Sequence, residues 1–191
     1  MVVRENVSEE DLKKPKREKK AKPKAPDKTL REVFVERLTE IKLDEIKKPW
    51  MAEKAFRLID RTEDLDEWVE TVLSDPGRSH ALPWADHVGP VVAVDTETDG
   101  LDLRVIDGKA KISLAGVCLS ADGIEGIYIP VGHEGYDNIP AEELAPRLQN
   151  LFDKSHLIFF NAKFDREVLR LKLGLTFRDF PHFEDVQVLS Y

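Results

Sequence analysis

Asp95 and Glu97 lie two residues apart at the end of an apolar run, residues 91–94, within V-A-V-D-T-E-T-D-G-L-D. Residues i and i+2 of a strand share a face, so the two carboxylates project side by side from a strand end. Adjacent carboxylates repel and favour protonation unless a cation lies between them. Oxygen-only ligands suit Mg²⁺ or Mn²⁺. The same logic recurs 70 residues later in F-F-N-A-K-F-D, which ends at Asp165. The chemistry this suggests is metal-dependent phosphoryl transfer. Spacing alone is weak, because 37 acidic residues in 191 give about seven such pairs by chance. Context discriminates: Asp64 and Asp66 sit in polar, helix-like surroundings, whereas Asp95 and Glu97 follow a β-branched run. The alternative is a strand-end turn with exposed acids.

Positioning these groups requires a sheet with helices beside it. A-F-R-L-I-D, from Ala55, reads as a short strand. T-E-D-L-D-E-W-V-E-T-V-L-S reads as a helix capped by Thr62, with Leu65, Trp68, Val69 and Val72 inward. Residues 77–89 read as a polar loop. Three strands follow at 91–94, 112–119 and 124–131, separated by Asp107-Gly108 and Asp122-Gly123 turns, and predict an antiparallel meander. Residues 141–153 predict a helix with Pro140 at its start. L-I-F-F-N, without alternation, fits a fully buried central strand. K-F-D-R-E-V-L-R-L-K-L predicts a helix ended by Gly174. A short F-E-D strand and the start of a helix close the chain. There is no Walker A motif, no G-x-G-x-x-G and no internal repeat.

Composition bounds the rest. A length of 191 residues fits one domain plus an extension, and 41% hydrophobic against 35% charged residues fits a disordered segment. Residues 13–28 carry a net charge of +7, leaving −15 on the other 175. Residues 1–28 therefore read as a disordered basic tail, either a nucleic-acid or partner-binding arm or a solubilising one. Residues 29–54 read as an N-terminal helical extension that Thr29 caps, with Leu30, Val33, Phe34, Leu38 and Ile41 at helical spacing. The globular domain occupies 55–191. The single cysteine, Cys118, excludes an internal disulfide and a cysteine-based zinc site and reads as a small buried hydrophobe. The sequence shows neither a signal core nor an apolar stretch of membrane-spanning length, so the reading is no membrane and no secretion.

The order meander, helix, buried strand, helix, with carboxylates at these positions, resembles the 3′–5′ proofreading exonuclease domain of family A DNA polymerases, the bacterial polymerase I type. The resemblance spans roughly residues 56–191. D-T-E-T-D-G-L-D is similar to the family's first motif, differing at Gly100, where serine is common. I-Y-I-P-V-G-H resembles its third strand and the following turn, N-A-K-F-D its second motif, and F-E-D-V-Q-V-L-S-Y the segment after it.

The resemblance implies a ribonuclease-H-like (DnaQ-like) α/β fold, a mixed sheet with an antiparallel meander flanked by helices. It implies two divalent cations, Mg²⁺ or Mn²⁺, hydrolysing the 3′-terminal phosphodiester of single-stranded DNA. Asp95 would bridge both metals, Glu97 would bind the first, and Asp165 would hold the second. Thr98, Leu101, Asn161 and Phe164 would meet substrate, with Leu101 a wedge between the last two bases. Thr96 and Asp185 would support the site. For Leu101 the alternative is a turn hydrophobe returning to the core; for Asn161, an amide satisfying backbone groups. Lys163 and Arg166, beside Asp165, could meet substrate phosphate but read as exposed helix charges; His133, with no second histidine at ligand spacing, reads as a satisfied turn or core histidine rather than a metal ligand.

The family's third motif, Tyr-x-x-x-Asp, supplies a fourth carboxylate and is not found in these residues. The expectation is a C-terminally truncated domain. It would be part of a larger polymerase or would be completed by a second chain carrying that motif, and its apolar sheet face would seek a partner. A bacterial or phage-infected cytoplasm is the expected setting. The rival reading is a non-catalytic replisome scaffold or DNA-guiding module on the same fold; a third is a ribonuclease.

Overall fold

The computed structural model describes residues 28–45, 55–75, 79–81, 88–178 and 182–190. The proposed tail, apart from Lys28, and residues 46–54 of the proposed extension lie outside the described residues. Helix α1 (Leu30–Glu45) opens on a reciprocal cap. Glu32 N–H donates to Thr29 Oγ1 at 3.2 Å, and Thr29 N–H donates to Glu32 Oε2 at 2.8 Å. This is the capping box that Thr29 followed by Glu32 encodes. Arg31 pairs with Asp60 at 2.9 Å, tying α1 to the residue pair after strand β1 (Ala55–Leu58).

Helix α2 (Thr62–Ser74) buries Leu65, Trp68, Val69 and Val72, as their spacing predicts. Its N-cap is Arg61, and Thr62 is the first helical residue, not the cap. The expected polar loop contains a strand, β2 (Ser79–Ala81), antiparallel to β3 (Val88–Thr98), which starts earlier than its apolar run suggests. Strands β4 (Val105–Ile106) and β5 (Lys109–Ala110) form a small separate ribbon around Asp107 and Gly108, at φ 51° and 72°. Strands β6 (Leu114–Ser120) and β7 (Glu125–Pro130) complete the meander. Then come α3 (Ala141–Asp153), β8 (His156–Phe159), α4 (Ala162–Leu173), β9 (Phe183–Asp185) and α5 (Val186–Leu189).

The main sheet runs β1-β7-β6-β3-β8-β9. The pairs β3/β6 and β6/β7 are antiparallel, while β1/β7, β3/β8 and β8/β9 are parallel. The strand carrying Asp95 and Glu97 therefore lies in the middle, where a strand is held on both edges. Helices α2, α3 and α4 pack on one face around Val92, Val94, Val117, Leu119, Ile129, Leu144, Leu148 and Leu169. On the other face a shallow apolar groove is lined by Phe34, Phe56, Cys118, Tyr128, Phe160 and Val186.

Between Glu97 and Thr98 the β3/β6 register shifts: Glu97 faces Gly116, but Thr98 faces Leu114. The extra residue, Ala115, turns its carbonyl to the amides of Val131 and Gly132, at 2.8 and 3.0 Å. This β-bulge bends β6 beside the strand end that presents the acids. A Cβ on Gly132 would stand 2.4 Å from the Leu114 carbonyl oxygen, a backbone atom with no room to yield. Gly132→Ala is therefore expected to lower stability by about 1–3 kcal/mol, as an overpacked site does, read from urea unfolding midpoints.

Candidate active site

Alternation along β3 separates two jobs. Val92, Val94 and Thr96 point into the helix-covered face and are buried, whereas Asp95 and Glu97 are exposed on the open face. Asp95 lies opposite Cys118, and Cys118 opposite Tyr128, so the three form a row across the sheet. Ligand atoms of Asp95, Glu97 and Cys118 all lie within 4.8 Å of one another. Cys118 is thus only half-buried and stands beside the acids, a correction to its reading as a buried hydrophobe. Burial and the charges of Asp95 and Glu97 push its thiol up to about 12.

Asp165 reaches the same strand end from beneath. It is 2% exposed, and its Oδ1 accepts from Thr96 Oγ1 at 2.6 Å and from Thr96 N–H at 3.1 Å. Burial, with Asp95 adding repulsion, raises its carboxyl to about 6 despite these bonds. Asp165 is not among the ligand atoms that cluster within 4.8 Å. Thr96, named as a support, is the residue through which Asp165 is joined to β3.

Asn161 opens α4 in the left-handed region, φ 67° and ψ 56°, and its side chain makes no capping bond. The cap comes from Asp185 instead. Its carboxylate accepts from the backbone N–H of Asn161 (3.0 Å), Ala162 (2.9 Å) and Gln187 (3.0 Å). A carboxylate on unpaired N–H groups at a helix start satisfies them and complements the dipole. Phe164 is half-buried against the core.

The loop after β3 is braced at several points. Thr98 Oγ1 donates to the Gly100 carbonyl at 2.8 Å, and Ser113 N–H donates to Asp99 Oδ1 at 2.7 Å. Asp102 pairs with Arg104 at 2.7 Å, which holds its carboxyl well below the usual range. Leu101 stands on this loop 82% exposed, which overturns the alternative that it returns to the core.

Three further residues shape the site. Tyr128 lies over Gly116, where an added Cβ would meet its hydroxyl at 2.2 Å, so its phenol extends toward the residue facing Glu97. The hydroxyl bonds His133 Nε2 at 2.6 Å, so His133 is the satisfied turn histidine that its spacing suggested. Burial lifts the phenol to about 12 and lowers the imidazole. Arg166 is not a solvated helix charge: its guanidinium sits 4.2 Å from the Phe183 ring centre and 5.3 Å from that of Phe177. The inward alternation of Val117 and Leu119 was the available signal that Cys118 shares the carboxylate face. Nothing local signalled Gly116 or the stacking of Arg166.

A family model described as 3′–5′ exonuclease matches residues 56–185. The chain belongs to this 3′–5′ exonuclease family, of the type found in family A DNA polymerases. DNA polymerase I of Borreliella burgdorferi is 31% identical over 101 residues, 52% of this chain and 10% of that protein. Among solved structures, the Aedes aegypti Nibbler EXO domain aligns at 12% identity and TM-score 0.47, covering 71% of this chain and 54% of that one. Brucella melitensis NrnC with bound Mg²⁺ aligns at 20% and 0.37, covering 65% and 46%. The EXD2 exonuclease domain aligns at 15% and 0.42, covering 71% and 58%. The chain thus spans about a tenth of the polymerase and about half of these structures. The family match and the sheet order together make the fold ribonuclease-H-like. No helix among the described residues is long and apolar enough to cross a membrane.

The site has a testable titration. An unfolded aspartate titrates near 3.9, whereas Asp165 in the fold titrates at about 6. The native state holds the proton more tightly, so raising pH between these values favours the unfolded chain, and the loss is complete above about 6. Asp165→Asn keeps an oxygen acceptor for Thr96 and removes the charge. In EDTA, the stability of the variant relative to wild type should rise from pH 4 to 6 and then level off, measured by urea unfolding at each pH.

Proposed function

We propose that this chain carries the metal-binding and substrate-end elements of a 3′–5′ DNA exonuclease that proofreads for a family A polymerase. The observation that carries the reading is the pair Asp95 and Glu97, exposed side by side at the end of a central strand in a chain of this family. The donor set fits hard divalent cations, Mg²⁺ or Mn²⁺: two exposed carboxylates on one face, with a third, Asp165, buried beneath the same strand end. Two such ions would stabilise charge on the attacking and leaving oxygens of a phosphodiester. Asp95 and Glu97 would hold them. Asp165 would contribute from below, with Thr96 fixing its orientation.

The rest of the site suits a 3′ end. Leu101 offers an apolar side chain to the terminal bases without reading their sequence. Thr98 ends β3, and Asn161, just before α4, keeps its side-chain amide clear of the helix cap. Tyr128 and Tyr136 are not followed four residues on by aspartate. On this reading the fourth carboxylate is brought by a further segment or a second chain bearing Tyr-x-x-x-Asp.

The test is release of single nucleotides from a 3′-labelled single-stranded DNA, in Mn²⁺ or EDTA, alone and with a polypeptide carrying Tyr-x-x-x-Asp. Asp95→Ala should lower the rate on the order of 10²-fold or more, as losing one electrostatic stabiliser does. No Mn²⁺-dependent release under either condition, together with no Mn²⁺ binding, would favour the scaffold reading. Faster release from RNA would favour a ribonuclease.

Leu101→Ala provides a second check. The side chain is exposed, so unfolding should shift by no more than about 0.5 kcal/mol. Turnover of single-stranded DNA should fall about tenfold, within the range for losing one stacking contact.

A further inference from the structure

We propose that the β4–β5 ribbon is a backbone clamp for the single-stranded DNA entering the site, with Lys109 and Lys111 meeting phosphates upstream of the 3′ end. The inference rests on the exonuclease reading above and adds a substrate contact that lies outside the carboxylate site.

The ribbon belongs to the connection that carries Leu101. Asp99 and Ser113 close its base: Asp99 N–H donates to the Ser113 carbonyl at 3.2 Å, and Ser113 N–H donates to Asp99 Oδ1 at 2.7 Å. Residues 100–112 therefore extend past the strand end that presents Asp95 and Glu97. Within the ribbon, Lys111 N–H donates to the Arg104 carbonyl at 3.0 Å, Val105 pairs with Ala110, and Ile106 pairs with Lys109. Three such rungs span about 10 Å.

Residues opposite one another in an antiparallel pair share a face, and successive residues alternate. Leu103 and Ala110 pack against the core, and Ile112 is buried in it. Arg104, Ile106, Lys109 and Lys111 fall on the other face, and all four are exposed. Three cations thus stand outward together on a chain of net charge −8. Bracing the loop accounts for two of them: Arg104 lies 2.7 Å and Lys111 3.6 Å from Asp102 Oδ2. It does not account for Lys109. Neither Asp107 in the turn nor any other described carboxylate pairs with it. Ile106 stands directly across from Lys109 and is 45% exposed. A cation beside an apolar side chain suits a nucleotide, which offers a phosphate and a base together. An acidic body repels a polyanion, so local cations beside the site are what can hold the strand there.

The test is binding of a 5′-labelled single-stranded DNA of about twelve nucleotides, within the span such grooves cover. The full chain is titrated in Ca²⁺, a hard cation that oxygen ligands hold, and anisotropy is followed from about 50 to 200 mM salt. Each phosphate contact on a single strand adds about 0.7 to the steepness of log affinity against log salt. Lys109→Gln should reduce that steepness by about 0.7, and Lys109→Gln combined with Lys111→Gln by about 1.4. Both side chains are exposed, so circular dichroism should stay unchanged. Lys154→Gln, which alters an exposed cation at the end of α3, should leave the steepness as it is. A thymidine dinucleotide, whose one phosphate belongs at the metal site on this reading, should compete equally well in wild type and variants. Unchanged steepness in the double variant, with wild type binding the strand, would overturn the clamp and leave the exonuclease reading standing. An equal shift from Lys154→Gln would reduce the effect to the general field of the chain and overturn the inference. No binding of the strand by wild type would overturn the inference and the reading beneath it.

Discussion

A single oxygen, Oδ1 of Asp165, binds the end of β3 to α4 by accepting both the hydroxyl and the amide of Thr96. Thr96 lies between Asp95 and Glu97, so drawing it inward forces both neighbours outward on the pleat. The bond is buried, where an unmatched carboxylate is costly, and it is short on the hydroxyl side. Helix and strand are therefore fixed to one another at the point where the two exposed acids leave the sheet.

This link is one part of a chain across the fold. Asp185 at the end of β9 holds the first amides of α4, including that of Asn161 in its left-handed conformation. Helix α4 sets Asp165, Asp165 sets Thr96, and Thr96 sets the direction of Asp95 and Glu97. A residue 90 positions from Asp95 thus helps aim it, although neither Asp185 nor Thr96 needs to touch a reacting atom. On the open face, the absence of a side chain at Gly116 lets Tyr128 lie across the sheet, where His133 anchors its hydroxyl.

Much of this was legible in the sequence, because the signals were local. The β-branched run before Asp95, the two Asp-Gly turns, the inner face of α2, and Gly174 as the α4 stop each depend on a few neighbouring residues. The cap at Thr29 was readable for the same reason, since Glu32 stands at capping-box spacing. The errors came where a distant partner decides. Strand β2 exists because β3 offers it an edge, not through its own propensity. Arg166 reads as a helix charge until β9 brings Phe183 beneath it. Cys118 looks like a core residue inside an apolar run; only the register with β3 places its thiol beside the acids. Thr62 is a permissible cap by type, but the helix begins one residue earlier than that role requires.

Leu101 stands in water on a loop tied down at several points. Bonds from Thr98, Ser113 and the Asp102–Arg104 pair hold the backbone on both sides of it. Exposure of a leucine is unfavourable in the free protein, and ordering such a loop on contact would ordinarily cost conformational entropy. Here folding already supplies part of that ordering through these bonds. An apolar surface arriving at this loop would gain the burial of Leu101 at a reduced entropic loss.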